Sequence, residues 1–280
     1  MNINTALIEG TKILKKNNIR LPQLDSEILM SKILKKDRKY LVLNLNKSIE
    51  NESLKIYKDL IKKRSLGKPI AYLTGVKNFW KHEFKIVEDV LIPRPDTEIL
   101  IQETLKVLKF KRQVSILDIG VGSGCILLSI LKEKPNFYGT GIDISNKSID
   151  LSKINAKNLG VQNRVKFLKT NVDNFCLGKY DLIISNPPYI KKNEIKYLDK
   201  DVNCFEPKLA LDGGLDGTLK IKNIIDKTPT LLKKNGKLVL EIAYNQRNKV
   251  VELLKQKGFY INKITKDYAH NDRCIISTKI

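Results

Sequence analysis

At 280 residues the chain is long enough for one large domain or two smaller ones with a sizeable core. Its 42% hydrophobic and 29% charged residues are ordinary for a soluble globular protein and exclude a fibrous or disordered chain. No apolar run approaches the roughly 18 residues that cross a bilayer. The N-terminal MNINTALIEGTKILKK lacks an apolar signal-peptide core, so a cytoplasmic location without membrane association is expected. The net charge of +22 invites a nucleic-acid partner. Lysine, asparagine and isoleucine are abundant throughout, however, including at plainly structural positions, so most lysines read as solvated faces and no specific nucleic acid is expected. Cys125, Cys176, Cys204 and Cys274 are scattered without metal-ligand spacing, which predicts reduced thiols and no metal.

Apolar residues recur at helical spacing from Ala6 to Leu14, from Leu24 to Leu34 and from Leu54 to Ile61. Asp25 and Ser26 are the expected caps of the second helix, and Asn51 or Ser53 of the third. These helices predict a small bundle over residues 1–75. Asn78 to Val87, aromatic and β-branched with partial alternation, predicts a β-hairpin within a linker over 76–94. Residues 95–280 change texture. After a helix around Thr97 to Leu108, strands are expected at Val114–Asp118, Tyr138–Asp143, Val165–Leu168, Tyr180–Ser185 and Lys237–Ile242. Helices are expected at Cys125–Lys132, Lys147–Leu159 and Asn245–Gly258. Alternation of this kind predicts a Rossmann-like, mostly parallel α/β sheet with helices on both faces. Tyr260–Lys266 and Arg273–Lys279 are placed as a pair of antiparallel edge strands.

Asp118-Ile119-Gly120-Val121-Gly122-Ser123-Gly124 lies between a predicted strand and a predicted helix, where nucleotide-type ligands bind such sheets. Glycines let the backbone turn sharply and approach a ligand, although the same turn also serves merely to join strand to helix. The GxGxG spacing differs from the GxGxxG of dinucleotide sites and suits a phosphate-free cofactor, whose ammonium needs a carboxylate or backbone acceptor. Asp143, at the end of the second strand, can accept from both ribose hydroxyls or cap the helix that follows Ser145. Asn171 and Val172 end the third strand, either beside an adenine or in an ordinary turn.

The fourth strand runs into Asn186-Pro187-Pro188-Tyr189. Two prolines fix φ and remove two backbone donors, leaving carbonyls without local partners, and the asparagine adds an acceptor oxygen. Adjacent acceptors suit an NH₂ on a planar carbon, either a carboxamide or an exocyclic base amine, and Tyr189 is placed to stack on that plane. A rigid strand-to-loop turn is the plain alternative. The position favours chemistry, because the segment shares a carboxyl edge with the glycine loop.

These segments, with Gly67-Lys68-Pro69-Ile70-Ala71-Tyr72-Leu73-Thr74-Gly75, Phe79-Trp80, Leu91 to Glu98, Phe205-Glu206-Pro207, Ala210 to Gly217, Leu240-Glu241-Ile242, Asp267 and Asn271-Asp272-Arg273, resemble the release-factor glutamine methyltransferases over nearly the whole length. The tetrapeptide alone is shared with adenine-N6 methyltransferases. The Pro93–Glu98 and Ala210–Gly217 segments, with a helical N-terminal domain, are more specific. The resemblance implies S-adenosylmethionine as cofactor, held by Asp118, Gly120, Val121, Gly122, Ser123, Gly124, Asp143, Asn171, Val172 and Asn186. It implies a class 1 peptide chain release factor as substrate, its Gly-Gly-Gln glutamine held by Asn186, Pro187, Pro188 and Tyr189, with Asn186, Pro187 and Tyr189 acting in catalysis. Asn171-Val172 stands where the family usually has Asp-Trp, Cys125 where a small residue is usual, and His270 where glycine is usual. Arg94 and Glu98 are placed either beside the cofactor pocket or as an ion pair holding the linker; Trp80 and His82 are placed as linker packing. The rival readings are an adenine-N6 methyltransferase acting on DNA or RNA, and a non-enzymatic ribosome- or RNA-binding protein on a degenerate methyltransferase fold.

Overall fold

The computed structural model describes all 280 residues, which form two compact units: 1–76 with 199–205, and 77–198 with 206–280. The first unit is helical: α1 (Ile3–Lys16), α2 (Pro22–Leu34), α3 (Arg38–Leu43), α4 (Asn51–Ser65) and α5 (Ile70–Thr74). Ile3, Ala6, Gly10 and Leu14 of α1 are buried at helical spacing, and the Asn2 side chain caps its first turn by accepting from the Thr5 amide at 2.8 Å. The helices enclose a core that includes Leu14, Leu29, Met30, Leu41, Tyr57 and Ile61.

The expected caps of α2 and α4 are corrected. Pro22 opens α2, with Asp25 and Ser26 buried inside it. Asp25 instead receives Arg64 Nε at 2.7 Å, and Ser26 Oγ shares a hydrogen bond with the Tyr57 hydroxyl at 2.6 Å. Helix α4 begins after Glu50 with no side-chain cap, so neither Asn51 nor Ser53 serves as one. Arg64 Nη1 also donates to the carbonyl of Lys68 at 3.0 Å, so a buried ion pair fixes the turn leading to Pro69. The short helix α9 (Lys200–Phe205) groups with this unit.

The boundary between units falls inside β1 (Val76–Phe79), whose partner in a two-stranded sheet is β2 (His82–Lys85). Trp80 takes the tight turn at a φ of 56°. From Lys77 onward, the residues expected as a linker group with the second unit. There α6 (Glu98–Val107), β3 (Ser115–Ile119), α7 (Cys125–Glu133), β4 (Tyr138–Asp143), α8 (Asn146–Asn158), β5 (Val165–Lys169), β6 (Tyr180–Ser185), α10 (Leu219–Leu231), β7 (Leu232–Glu241), α11 (Arg247–Gln256), β8 (Phe259–Lys266) and β9 (Asp272–Lys279) build one sheet in the order β5-β4-β3-β6-β7-β9-β8. The first five strands of that order are parallel, and β9 and β8 are antiparallel additions.

Burial explains the strand composition. Ile116, Leu117, Leu182, Ile183 and Ile184, in central β3 and β6, are covered on both faces and read as apolar runs. Edge strand β5 alternates and stays largely exposed. One expectation is corrected: β9 lies between β7 and β8, so of that pair only β8 is an edge. The strand order reverses direction between β3 and β6, which splays their outgoing loops apart and opens a crevice at their carboxyl ends.

Candidate active site

A cavity of about 540 Å³ occupies this crevice. Gly120, Val121, Gly122 and Ser123 form one wall, Asp143 and Ile144 the next, then Thr170, Asn171 and Val172, with Asn186, Pro187 and Pro188 opposite. Gly120 has a φ of 77°, and a Cβ there would meet nothing within 4 Å, because it would project into open space. The loop is held from behind by Asn155, 1% exposed, whose Nδ2 donates to the Ser123 carbonyl at 2.9 Å and to the Lys85 carbonyl at 3.1 Å. Asp143 accepts from the Gly122 amide at 3.0 Å and the Ser145 amide at 2.9 Å. Burial nevertheless pushes its pKa up, since desolvation outweighs those hydrogen bonds.

Asp118 does not line the cavity. It is 1% exposed, and neither carboxylate oxygen has a side-chain partner, only the Leu127 backbone favouring its charged form. Complete burial pushes it up to about 7, with a smaller push from the Asp143 charge. Gly124 opens α7 and does not line the cavity either. Asn171 lies on the wall while its side chain caps a 3₁₀ turn, accepting from Asp173 N at 3.4 Å. Val172 belongs both to the wall and to the core.

Ser185 donates to the Ile119 carbonyl at 2.6 Å, tying the end of β6 to the glycine loop. Asn186 then turns Nδ2 to Thr97 Oγ1 at 3.0 Å. No protein group donates to the Pro187 carbonyl, and Pro187 itself lines the cavity. Tyr189 is corrected as a stacking face: its ring packs on the sheet core, its hydroxyl donates to Glu241 Oε1 at 3.2 Å, and it does not line the cavity. It anchors the motif from behind. Burial, followed by the Glu241 charge, pushes its phenol well above the usual range.

Gln246, which carries no motif in the sequence, braces this segment. Gln246 Nε2 donates to the carbonyls of Tyr189 and Gly217, both at 3.0 Å, while its Oε1 accepts from Ala243 N. The Ala210–Gly217 segment lies alongside: Ile190 N donates to Leu211 O at 3.0 Å and Gly213 N to Ile190 O at 2.8 Å. Arg94 lines the cavity but pairs with Glu206 at 2.5 Å rather than with Glu98. Glu98 accepts from the Trp80 amide at 2.7 Å, bracing the hairpin. His82 is also in the hairpin, with Nε2 buried and unpartnered and its pKa lowered chiefly by burial. His270 occupies a turn at a φ of 63°, which accounts for glycine being usual there. The four cysteines are free, and no group of three His, Cys, Asp or Glu side chains is placed to hold a metal. No helix is long and apolar enough to cross a membrane.

A parallel sheet with an antiparallel tail, opening its cleft between β3 and β6, is a Rossmann-like α/β fold. A Pyrococcus furiosus methyltransferase has the same fold, with a TM-score of 0.53 and 17% identity over 70% of this chain and 88% of that one. Family models described as the PrmC N-terminal domain and the methyltransferase small domain match residues 5–75 and 95–201. A release factor glutamine methyltransferase of Clostridium acetobutylicum is 37% identical over all of this chain and 99% of its own length. One of Fusobacterium nucleatum is 38% identical over 97% and 77%. The chain belongs to the release factor glutamine methyltransferase family and is an enzyme.

Proposed function

We propose that this enzyme works in the cytoplasm and methylates the side-chain amide nitrogen of the glutamine in the Gly-Gly-Gln motif of class 1 release factors, with S-adenosylmethionine as donor. The observation that carries the reading is the orientation of Asn186. With Nδ2 committed to Thr97, the oxygen is left for the cavity, beside the free Pro187 carbonyl. Two acceptors then meet the two hydrogens of a carboxamide NH₂. The relatives named for this activity support the choice of a protein amide over a base amine.

The cavity fits the cofactor on its own chemistry. Asp143 offers a carboxylate at the end of the second strand, and the apolar Ile142, Ile144, Val172 and Ile224 suit a flat adenine. The open space above Gly120 admits close approach, and the Asp143 carboxylate on the wall suits a cationic ligand. When bound, the cofactor supplies a methyl group on a positively charged sulfur. An amide nitrogen is a weak nucleophile because its lone pair is delocalised into the carbonyl. Asn186 and the Pro187 carbonyl draw on its hydrogens, return density to nitrogen and hold it in a near-attack geometry. With that cofactor bound, the nitrogen held by Asn186 and the Pro187 carbonyl would take the methyl group in exchange for one of its amide protons, which would leave to water. The apolar lining favours a step that neutralises charge.

Incubation with methyl-labelled S-adenosylmethionine and either release factor or DNA tests the assignment. Label in the release factor is expected. Label in DNA, or in neither, would overturn it.

A further inference from the structure

An asparagine side chain is an ambivalent partner for a substrate amine. Its carboxamide presents either an acceptor oxygen or a donor NH₂, and the two orientations have almost the same shape. Only the oxygen can accept from the substrate, so the groups behind Asn186 decide whether the motif works. Its neighbour there is Thr97, 2% exposed at the start of α6, whose Oγ1 receives Nδ2 at 3.0 Å. A hydroxyl can also donate. If Thr97 aimed its proton at Asn186, the amide would turn round and present NH₂ to an NH₂.

That proton therefore needs a different acceptor. Ser185 pairs with Leu240 in the parallel β6–β7 ladder, so Asn186 and Glu241 leave neighbouring strands side by side. Glu241 is 1% exposed. Its Oε1 takes the Tyr189 hydroxyl, while its Oε2 has no partner at hydrogen-bonding geometry. Burial raises the pKa of this carboxylate, and the Thr97 hydroxyl and Arg273 oppose that rise. An unsatisfied buried carboxylate oxygen is costly, and Thr97 holds an uncommitted proton.

We infer that Thr97 is a positioning residue for the methyl acceptor: its hydroxyl gives its proton to Glu241, accepts from Asn186, and so holds the asparagine oxygen toward the substrate amine. This rests on the function proposed above and adds the group that sets the polarity of its motif. Through Tyr189, both ends of the tetrapeptide refer to the same buried carboxylate.

Thr97→Val keeps the side-chain shape and removes the hydroxyl, whereas Thr97→Ser keeps the hydroxyl. Each variant is assayed on release factor at saturating concentration. Cofactor affinity is measured by calorimetry, and release-factor affinity in the presence of S-adenosylhomocysteine. The valine variant is expected to lose about tenfold or more in kcat, with both affinities within about twofold of wild type, and the serine variant to recover most of the rate. Wild-type turnover in the valine variant, an equal loss in both variants, or a loss traced to weaker cofactor binding would overturn the inference. Wild-type enzyme that labels no release factor would remove the functional reading and this inference together. An active wild type with an indifferent valine variant would remove this inference alone.

Discussion

Gly217→Ala probes how the back of the site holds its front. Gly217 sits at a φ of 78°, where a Cβ would lie 2.5 Å from the Tyr189 carbonyl oxygen and 2.8 Å from Gln246 Nε2. The first obstacle is backbone, which cannot swing aside as a side-chain tip does. The left-handed conformation costs alanine about 1–2 kcal/mol. Pushing Tyr189 away also weakens the two hydrogen bonds from Gln246, each worth about 0.5–1.5 kcal/mol. The sum is about 3 kcal/mol of lost stability, centred on the segment that continues the Asn186–Tyr189 motif. Urea unfolding followed by a probe in the sheet-bearing unit reads the first effect. Single-turnover methylation reads the second, for which a fall of about tenfold or more is expected from a displaced acceptor. Stability within about 0.5 kcal/mol of wild type, together with an unchanged rate, would refute the reasoning that this glycine is required by contact.

Asp143→Ala should raise the cofactor dissociation constant about tenfold to a hundredfold, because it removes the acceptor assigned to ribose and two loop hydrogen bonds; calorimetry showing unchanged affinity would remove Asp143 from the site. Arg64→Met should destabilise the helical unit by about 3–5 kcal/mol, since it strands the Asp25 charge in the core; adding Asp25→Asn should recover part of the loss in thermal unfolding. Burial pushes both Asp118 and Glu241 up to about 7 in the folded chain. Their contribution to stability is therefore present below the ordinary carboxylate range and lost as pH rises through about 7. Urea midpoints of the cofactor-free protein should fall between about pH 5 and pH 7, and Glu241→Gln should flatten that slope. A midpoint independent of pH would contradict the burial of these charges.

The elements easiest to read from the sequence were those with the densest local signal. Strands β4 and β6 end where the apolar runs end, and the glycine loop announces itself by composition. Helix α10 carried the same helical spacing at Ile221, Ile224, Ile225 and Thr228, yet Pro229 and the flanking lysines obscured it. Helices α3 and α5 are too short for periodicity to register. The site divides in the same way. Asn186-Pro187 and the glycine loop are each short contiguous segments, visible in the sequence, that meet at the cavity wall. Their supports are not visible there: Thr97 reaches Asn186 across 89 residues, Gln246 reaches Tyr189 across 57, and Arg94 reaches Glu206 across 112. The Leu240-Glu241-Ile242 resemblance marked Glu241 without giving it a partner. Tyr189 was misplaced for a related reason: an aromatic after two prolines suggests a stacking face, and only the neighbouring β7 carboxylate shows that the ring is drawn inward.

Under the proposed function, Asn186 orients a glutamine amide of a release factor toward the donor methyl. Tandem mass spectrometry of the Gly-Gly-Gln peptide after reaction tests it most directly, comparing wild type with Asn186→Ala at matched cofactor occupancy. One added methyl on the glutamine side chain is expected with wild type, and almost none with the variant even at equal cofactor occupancy. Methyl found on another residue, or a variant that modifies the glutamine at the wild-type rate, would contradict it.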